Sequence, residues 1–291
     1  MSSLSTYAHH ISCILKVLVY IEDHLDEELS LEKMAKIAHI SSYYFHRLFR
    51  AYMGETLSEY VKRLRLQKAA GILQYSDTAI TDIAFDLGYE TPSSFTKVFN
   101  QVMGTSPSQY RKTMQPVVRA IMKRTIPNKE TIMIKPEYVT FKDEQVLFVR
   151  RTGDYKETPS QAFQALVKYL QDEGIGREKI KTYYSMGLDD PQIVDRAKCR
   201  FDACVALKEP ISPKGEVGQR VLRGGRFATF IHKGPYSKLE EAFNEIFQTW
   251  YPSSNEKLAD EIPFCEHISA WDKSISDDER VTKIYIPLEN K

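Results

Sequence analysis

The sequence predicts two domains: an all-α unit of two helix-turn-helix motifs, then an α+β unit with pseudo-twofold symmetry. Three observations lead there. Residues 41–54, SSYYFHRLFRAYMG, return fifty residues later as TPSSFTKVFNQVMG over 91–104. Beyond residue 133 the texture changes to strand-like runs that end in Gly-containing turns and lead into helices. Those runs are duplicated as well: Gly153 and Tyr155 match Gly234 and Tyr236 at an offset of 81, and Phe163 matches Phe243 at 80. A length of 291 residues also suits two domains.

The elements follow in order. Residues 9–27 carry a helical stripe of Ile11, Ile14, Leu15, Leu18, Ile21 and Leu25. Ser30 suits the cap of a short helix over 31–38. Ser41 and Thr91 are the caps expected for the repeated helices, with Pro92 at a first helical position, where its missing N–H costs nothing. Phe45, Leu48, Phe49 and Tyr52 fall on one helix face, and Phe95, Val98, Phe99 and Val102 repeat them. Gly54 and Gly104 stand where left-handed caps would end these helices. Each is preceded by a short amphipathic segment, at 31–40 and 80–89, which completes a helix-turn-helix. One long helix over 56–76 joins the two motifs, and a last turn at 106–112 closes a domain of residues 1–113. Residues 114–132, with Pro116 and Pro127, read as a linker to a second domain over 133–291. There, strands are expected at 146–155, 183–188, 199–208, 226–236, 264–271 and 281–287, with helices at 160–174 and 238–251. A strand–helix–strand–strand unit used twice leaves a cleft between its halves as a natural ligand site.

Composition excludes several classes. Charged residues make up 27% and hydrophobic ones 42%, as in an ordinary soluble protein. No apolar run approaches the roughly 20 residues of a membrane span. The start lacks a basic region before an apolar core, so a cytoplasmic protein without a signal peptide is expected. Cys13, Cys199, Cys204 and Cys265 are scattered without a CxxC pair, so neither a zinc site nor a disulfide framework is expected, and no cofactor is implied. The net charge of +1 says nothing about nucleic acid; the placement of charges on the repeated helices decides that.

In a helix-turn-helix the second helix reads the major groove. With the apolar face spent on packing, Ser42, Tyr43, His46, Arg47 and Arg50 remain outward in the first copy, and Ser93, Ser94, Thr96, Lys97 and Asn100 in the second. Arg47 and Lys97 hold the same repeat position. An outward Arg can pair with both guanine O6 and N7. Lys62, Arg63, Arg111 and Lys112 are then expected at the DNA backbone. Arg50 serves equally well as part of a solvated face, and Tyr43 as a packing residue. Two such units could address major-groove segments one DNA turn apart, ~34 Å, on a non-palindromic site.

Segment 83–112, IAFDLGYETPSSFTKVFNQVMGTSPSQYRK, resembles the signature of the AraC/XylS family of bacterial transcription regulators, and the preceding IAHISSYYFHRLFRAYMGETLSEYVKRLRL resembles that family's first helix-turn-helix and linker helix. The resemblance covers about residues 9–113. It implies seven helices, two readers and promoter control through RNA polymerase. By position, Ser42, Tyr43, His46 and Arg47 match the first reader's base contacts, and Pro92, Ser93, Thr96 and Lys97 the second's. Proline cannot donate a hydrogen bond, which makes the second helix the weaker reader.

The turns GDY and KGPY, the segment PFCEHISAW (263–271) and the ending TKIYIPL (282–288) resemble a GyrI-like effector-binding domain, over about 134–289. It is similar to the effector domains of Rob- and BmrR-type regulators. That resemblance implies a small, lipophilic, cationic effector met by a carboxylate among aromatic rings, here Glu266, with Tyr155, Tyr236 and Trp271 as ring partners. Strand alternation puts Glu266 with Phe264 and Ile268, and His267 with Trp271 on the opposite face. Other roles stand beside this one: Glu266 as a solvated or internally paired residue, and the two tyrosines as core residues closing their turns. Stand-alone relatives suggest two further functions, a hydrolase using Tyr236 and Glu266, and a protein-binding module. A non-catalytic regulator is the leading expectation.

Overall fold

The computed structural model describes residues 3–124, 135–191, 193–270 and 274–290. The chain parts into two compact units at Ile121 and Met122.

The first unit is α1 (Ser3–Asp23), α2 (Leu31–Ile37), α3 (Ser42–Met53), α4 (Leu57–Tyr75), α5 (Ile80–Asp86), α6 (Pro92–Met103) and α7 (Pro107–Arg124). The expected caps are present. Ser41 Oγ accepts the Tyr44 N–H at 3.3 Å, and Thr91 Oγ1 accepts that of Ser94 at 3.1 Å. Gly54 and Gly104, at φ of 72° and 71°, donate to the carbonyls of Arg50 and Asn100. Thr56 and Glu59 close a reciprocal capping box at the start of α4. The duplicated interior packs alike twice. Phe45 and Phe49 lie 5.5 Å apart between ring centroids, with Tyr60 edge-on at 5.6 Å from Phe49. Phe95 and Phe99 lie 5.5 Å apart, with Tyr110 edge-on at 5.4 Å from Phe99.

Arg65 on α4 ties the α1–α2 connection to the turn after α5. Its guanidinium donates to the carbonyls of Leu25 at 2.8 Å, Glu27 at 2.7 Å and Gly88 at 3.3 Å. Gly88, at φ 68°, is required twice over: its backbone is left-handed, and a Cβ there would lie 2.6 Å from Arg65 Nη2 and 2.7 Å from the Asp26 carbonyl.

Three expectations change here. α1 begins at Ser3 rather than residue 9. Val102 is 52% exposed, and Met103 packs against the core instead. The segment read as linker from 114 begins as the last turns of α7, while residues 125–132 lie outside the described residues. Pro116 removes the donor that would meet the Lys112 carbonyl; both residues are exposed, so water can take that carbonyl and the helix continues.

The second unit is β1 (Glu137–Phe141), β2 (Glu144–Thr152), α8 (Thr158–Asp172), β3 (Ile180–Gly187), β4 (Arg200–Leu207), β5 (Val217–Leu222), β6 (Gly225–Lys233), α9 (Leu239–Glu245), β7 (Phe264–His267) and β8 (Val281–Leu288). A π-helical stretch, Ile246–Trp250, extends α9. One antiparallel sheet runs β1-β6-β8-β7-β3-β4-β2-β5. Exchanging the halves reproduces that order, which is the pseudo-twofold symmetry expected from the repeat. Each half also lends one edge strand to the other: β1 pairs with β6, and β5 with β2.

Alternation gives the sheet two different faces. One is covered by helices: Leu166 of α8 packs on Val149, Ala203 and Val205, and Ile246 and Trp250 pack on Phe230, Ile284 and Ile286. The opposite face carries Phe141, Tyr184, Phe227, Phe264 and Tyr285 in mutual ring contact. The edge strands β1 and β5 were not expected from the sequence. β7 stops at His267, and residues 268–270 form a turn with Ile268 49% exposed. Ile268 therefore leaves the strand, and does not share a sheet face with Glu266 as alternation over 264–271 suggested. Pairing with both β3 and β8 holds the backbone extended only over the short span of β7.

Candidate functional site

Two surfaces carry the chemistry, one in each unit. On the first, α3 and α6 turn the same positions outward. Tyr43, Arg47 and Arg50 are exposed on α3, and Ser93, Ser94, Lys97 and Asn100 on α6; Ser42, His46, Pro92 and Thr96 are half-buried beside them. Tyr43 is 72% exposed, so it does not pack on the neighbouring helix. It engages Arg47 instead, which donates to its hydroxyl at 3.1 Å and lies 5.7 Å from its ring centroid. α6 has Ser93 at the matching position and no such brace for Lys97. Lys62 and Lys112 are exposed near the starts of the helices that follow each reader. Arg63 and Arg111 are held by the fold: Arg63 pairs with Glu55 at 2.6 Å, and Arg111 donates to the Thr78 carbonyl.

On the second surface Glu266 sits at the centre of the sheet, opposite Tyr184 on β3 and Lys283 on β8. It is half-buried and belongs to the ring-lined face. Tyr285 donates to Oε2 at 2.7 Å, and Thr182 lies 3.5 Å from Oε1. Burial and the Glu266 carboxylate together hold the Tyr285 and Tyr184 phenols above the ordinary tyrosine range, so both stay protonated. Among the described residues Glu266 makes no ion pair; Lys283 turns to Glu137, 3.7 Å away. A half-buried carboxylate ringed by aromatic groups and lacking a cation is an arrangement that a ligand cation completes.

Tyr155 and Tyr236 do not join it. Tyr155 packs on Phe201, on the helix-covered face, and its hydroxyl lies 2.9 Å from the carbonyls of both Asp189 and Arg200. Burial pushes its phenol up as well. It braces its turn, as the core alternative had it. Tyr236 stacks edge-on against His267 at 4.9 Å and lies under the Arg280 guanidinium at 5.3 Å. His267 points away from Glu266, into the helix side, with Ser185 Oγ 2.9 Å from its Nε2 and Phe163 of α8 at 5.3 Å. Tyr236, packed on His267, and Glu266 thus lie on opposite faces of the sheet. Trp271 lies outside the described residues.

The aromatic partners that reading the sequence missed are Tyr184 and Tyr285. Both sit in strands that were located, but only the register between β3, β7 and β8 reveals that they flank Glu266. No group of His, Cys, Asp and Glu able to hold a metal occurs among the described residues. No described helix is long and apolar enough to cross a membrane.

Comparison with known proteins agrees with both domains. Residues 34–113 match a helix-turn-helix domain family, and residues 134–289, more than half the chain, match the GyrI-like small molecule binding domain. Regulatory protein PocR of Salmonella typhimurium is 40% identical over 103 residues, 35% of this chain and 34% of that protein; the chain thus matches about a third of its length. Regulatory protein SoxS of the same organism is 36% identical over 102 residues, 35% of this chain and 95% of SoxS. Right origin-binding protein of Escherichia coli K12 is 23% identical over 256 residues, 83% of this chain and 85% of its own. The chain belongs to the AraC/XylS-type DNA-binding regulators that carry a GyrI-like small-molecule binding domain behind a double helix-turn-helix.

Proposed function

We propose that the chain is a one-component, non-catalytic transcription regulator of the cytoplasm that senses a lipophilic cation. It binds a non-palindromic promoter site through α3 and α6, acts there with RNA polymerase, and receives its effector on the ring-lined face around Glu266. The observation that carries the effector assignment is the half-buried Glu266, hydrogen-bonded by Tyr285 and, among the described residues, without a cationic partner. A ligand cation there gains the attraction of a carboxylate set among aromatic rings. Such a ligand switches the protein only by favouring one of its conformations over another.

The test is calorimetric titration of the full chain with methyltriphenylphosphonium and with a neutral triphenyl analogue. Glu266→Gln should weaken the cation about tenfold or more and leave the neutral compound nearly unchanged, since a charge-assisted contact is worth ~1.5–3 kcal/mol. Equal loss for both compounds, or no cation binding by the wild type, would contradict the assignment.

A further inference from the structure

Glu266 and Lys283 are direct cross-strand partners on the same sheet face, and they ignore each other. Opposite charges so placed have Cβ atoms ~4.5–5.5 Å apart and ordinarily pair. Here Glu266 takes the hydroxyls of Tyr285 and Thr182, while the Lys283 ammonium reaches the other way, to Glu137 on the edge strand. Both approach Tyr285: its hydroxyl holds Glu266 at 2.7 Å, and its ring centroid is 5.6 Å from Lys283 Nζ. A carboxylate and an ammonium thereby stand on one sheet face, unpaired with each other, each against Tyr285.

Lys283 is only lightly committed where it rests. Its contact with Glu137 is 3.7 Å long, and the Glu137 side chain is 75% exposed, so the pair contributes little and the ammonium can be redirected at small cost. The arrangement is peculiar to one half of the domain. At the offsets of the internal repeat, 80 and 81 residues, Met186 and Asp202 replace Glu266 and Lys283, and the Asp202 carboxylate is closed by Arg150 at 2.7 Å.

We propose that the site recognises a zwitterion: an aromatic or lipophilic ligand whose cation meets Glu266 and whose anionic group, beside Tyr285, meets Lys283. The inference rests on the effector assignment at Glu266 and narrows it from a cation to a doubly charged, net-neutral ligand. Lys283 then sets specificity by rewarding an acidic group that a lone carboxylate site would repel.

The experiment uses the full chain and two probes measured by calorimetry: carboxypentyl triphenylphosphonium, a zwitterion at neutral pH, and its methyl ester, a simple cation. Wild type should bind the zwitterion about tenfold more tightly than the ester. Lys283→Gln should abolish that preference while still binding the ester, and Lys283→Arg should keep it. Circular dichroism checks that each variant is folded. If wild type binds the ester through Glu266 but shows no preference for the carboxylate, or Lys283→Gln retains the preference, the zwitterion assignment is overturned and the cation site stands. If wild type binds neither probe, both are overturned.

Discussion

In the helical unit the two copies keep their interior and change their surface. In the sheet unit they keep strand order and register, and change residues on both sheet faces. Phe45, Phe49 and Tyr60 repeat as Phe95, Phe99 and Tyr110 with nearly the same ring geometry, while Tyr43 and Arg47 become Ser93 and Lys97. In the sheet, Asp202 becomes Lys283, and Gly187 becomes His267. The last exchange has a visible consequence. Tyr155 lies against Gly187, where a Cβ would be 3.3 Å from its ring, whereas its counterpart Tyr236 rests on the His267 imidazole and stays 38% exposed. Duplication supplies a scaffold twice, and chemistry enters where the copies part.

The largest expected effect separates the two halves of the sheet. Asp202 is fully buried and accepts from Arg150 at 2.7 Å and from Arg220 at 3.0 Å. Asp202→Ala removes the acceptor these two guanidiniums share and should cost about 3–5 kcal/mol in urea denaturation. At the equivalent position Lys283→Ala should cost under about 1 kcal/mol, because its partner is exposed. Similar losses for both would break the comparison.

Next comes pH. Burial lowers the His267 pKa to about 4, and position 187 in the first copy carries no titratable group. The unfolded imidazole takes its proton near pH ~6.5, while the folded one stays neutral until about 4. Stability is therefore full above the unfolded value and falls as pH drops from there toward 4, by roughly 3 kcal/mol. Denaturation midpoints at several pH values should show this slope in wild type, and His267→Gln should flatten it.

Smaller effects separate the reading helices. Arg47→Ala should cost ~1–3 kcal/mol of DNA binding and relax base preference at one position, as read by competition with variant sites. Lys97→Ala should weaken all sequences alike and reduce the salt dependence. Tyr43→Phe should cost least, ~0.5–1.5 kcal/mol, by freeing the guanidinium that the Tyr43 hydroxyl now orients.

The helical unit was legible because its signals are local. Caps at Ser41 and Thr91, glycines at 54 and 104, and apolar residues three and four apart each lie within one element. α7 outran its expected end because Pro116 is a stop signal only where the freed carbonyl cannot reach water. In the sheet unit, order and repeat were legible while partnership was not. Tyr155 and Tyr236 were joined to Glu266 by resemblance, yet Glu266 lies one residue from His267, and adjacent strand residues face opposite ways. Tyr184 and Tyr285 reach Glu266 through pairings 82 and 19 residues apart in sequence, which no local pattern carries.

The central claim is that the copies share packing and that their outward differences do the recognising. Its most direct test transplants the outward set of α3 onto α6: Pro92→Ser, Ser93→Tyr, Thr96→His and Lys97→Arg in one chain, with preferred sites selected from a random DNA pool. The account predicts that the grafted chain folds as wild type does and that the second half of the selected site takes on the preference of the first. An unchanged second half-site, in a chain that remains folded and binds DNA, would contradict it.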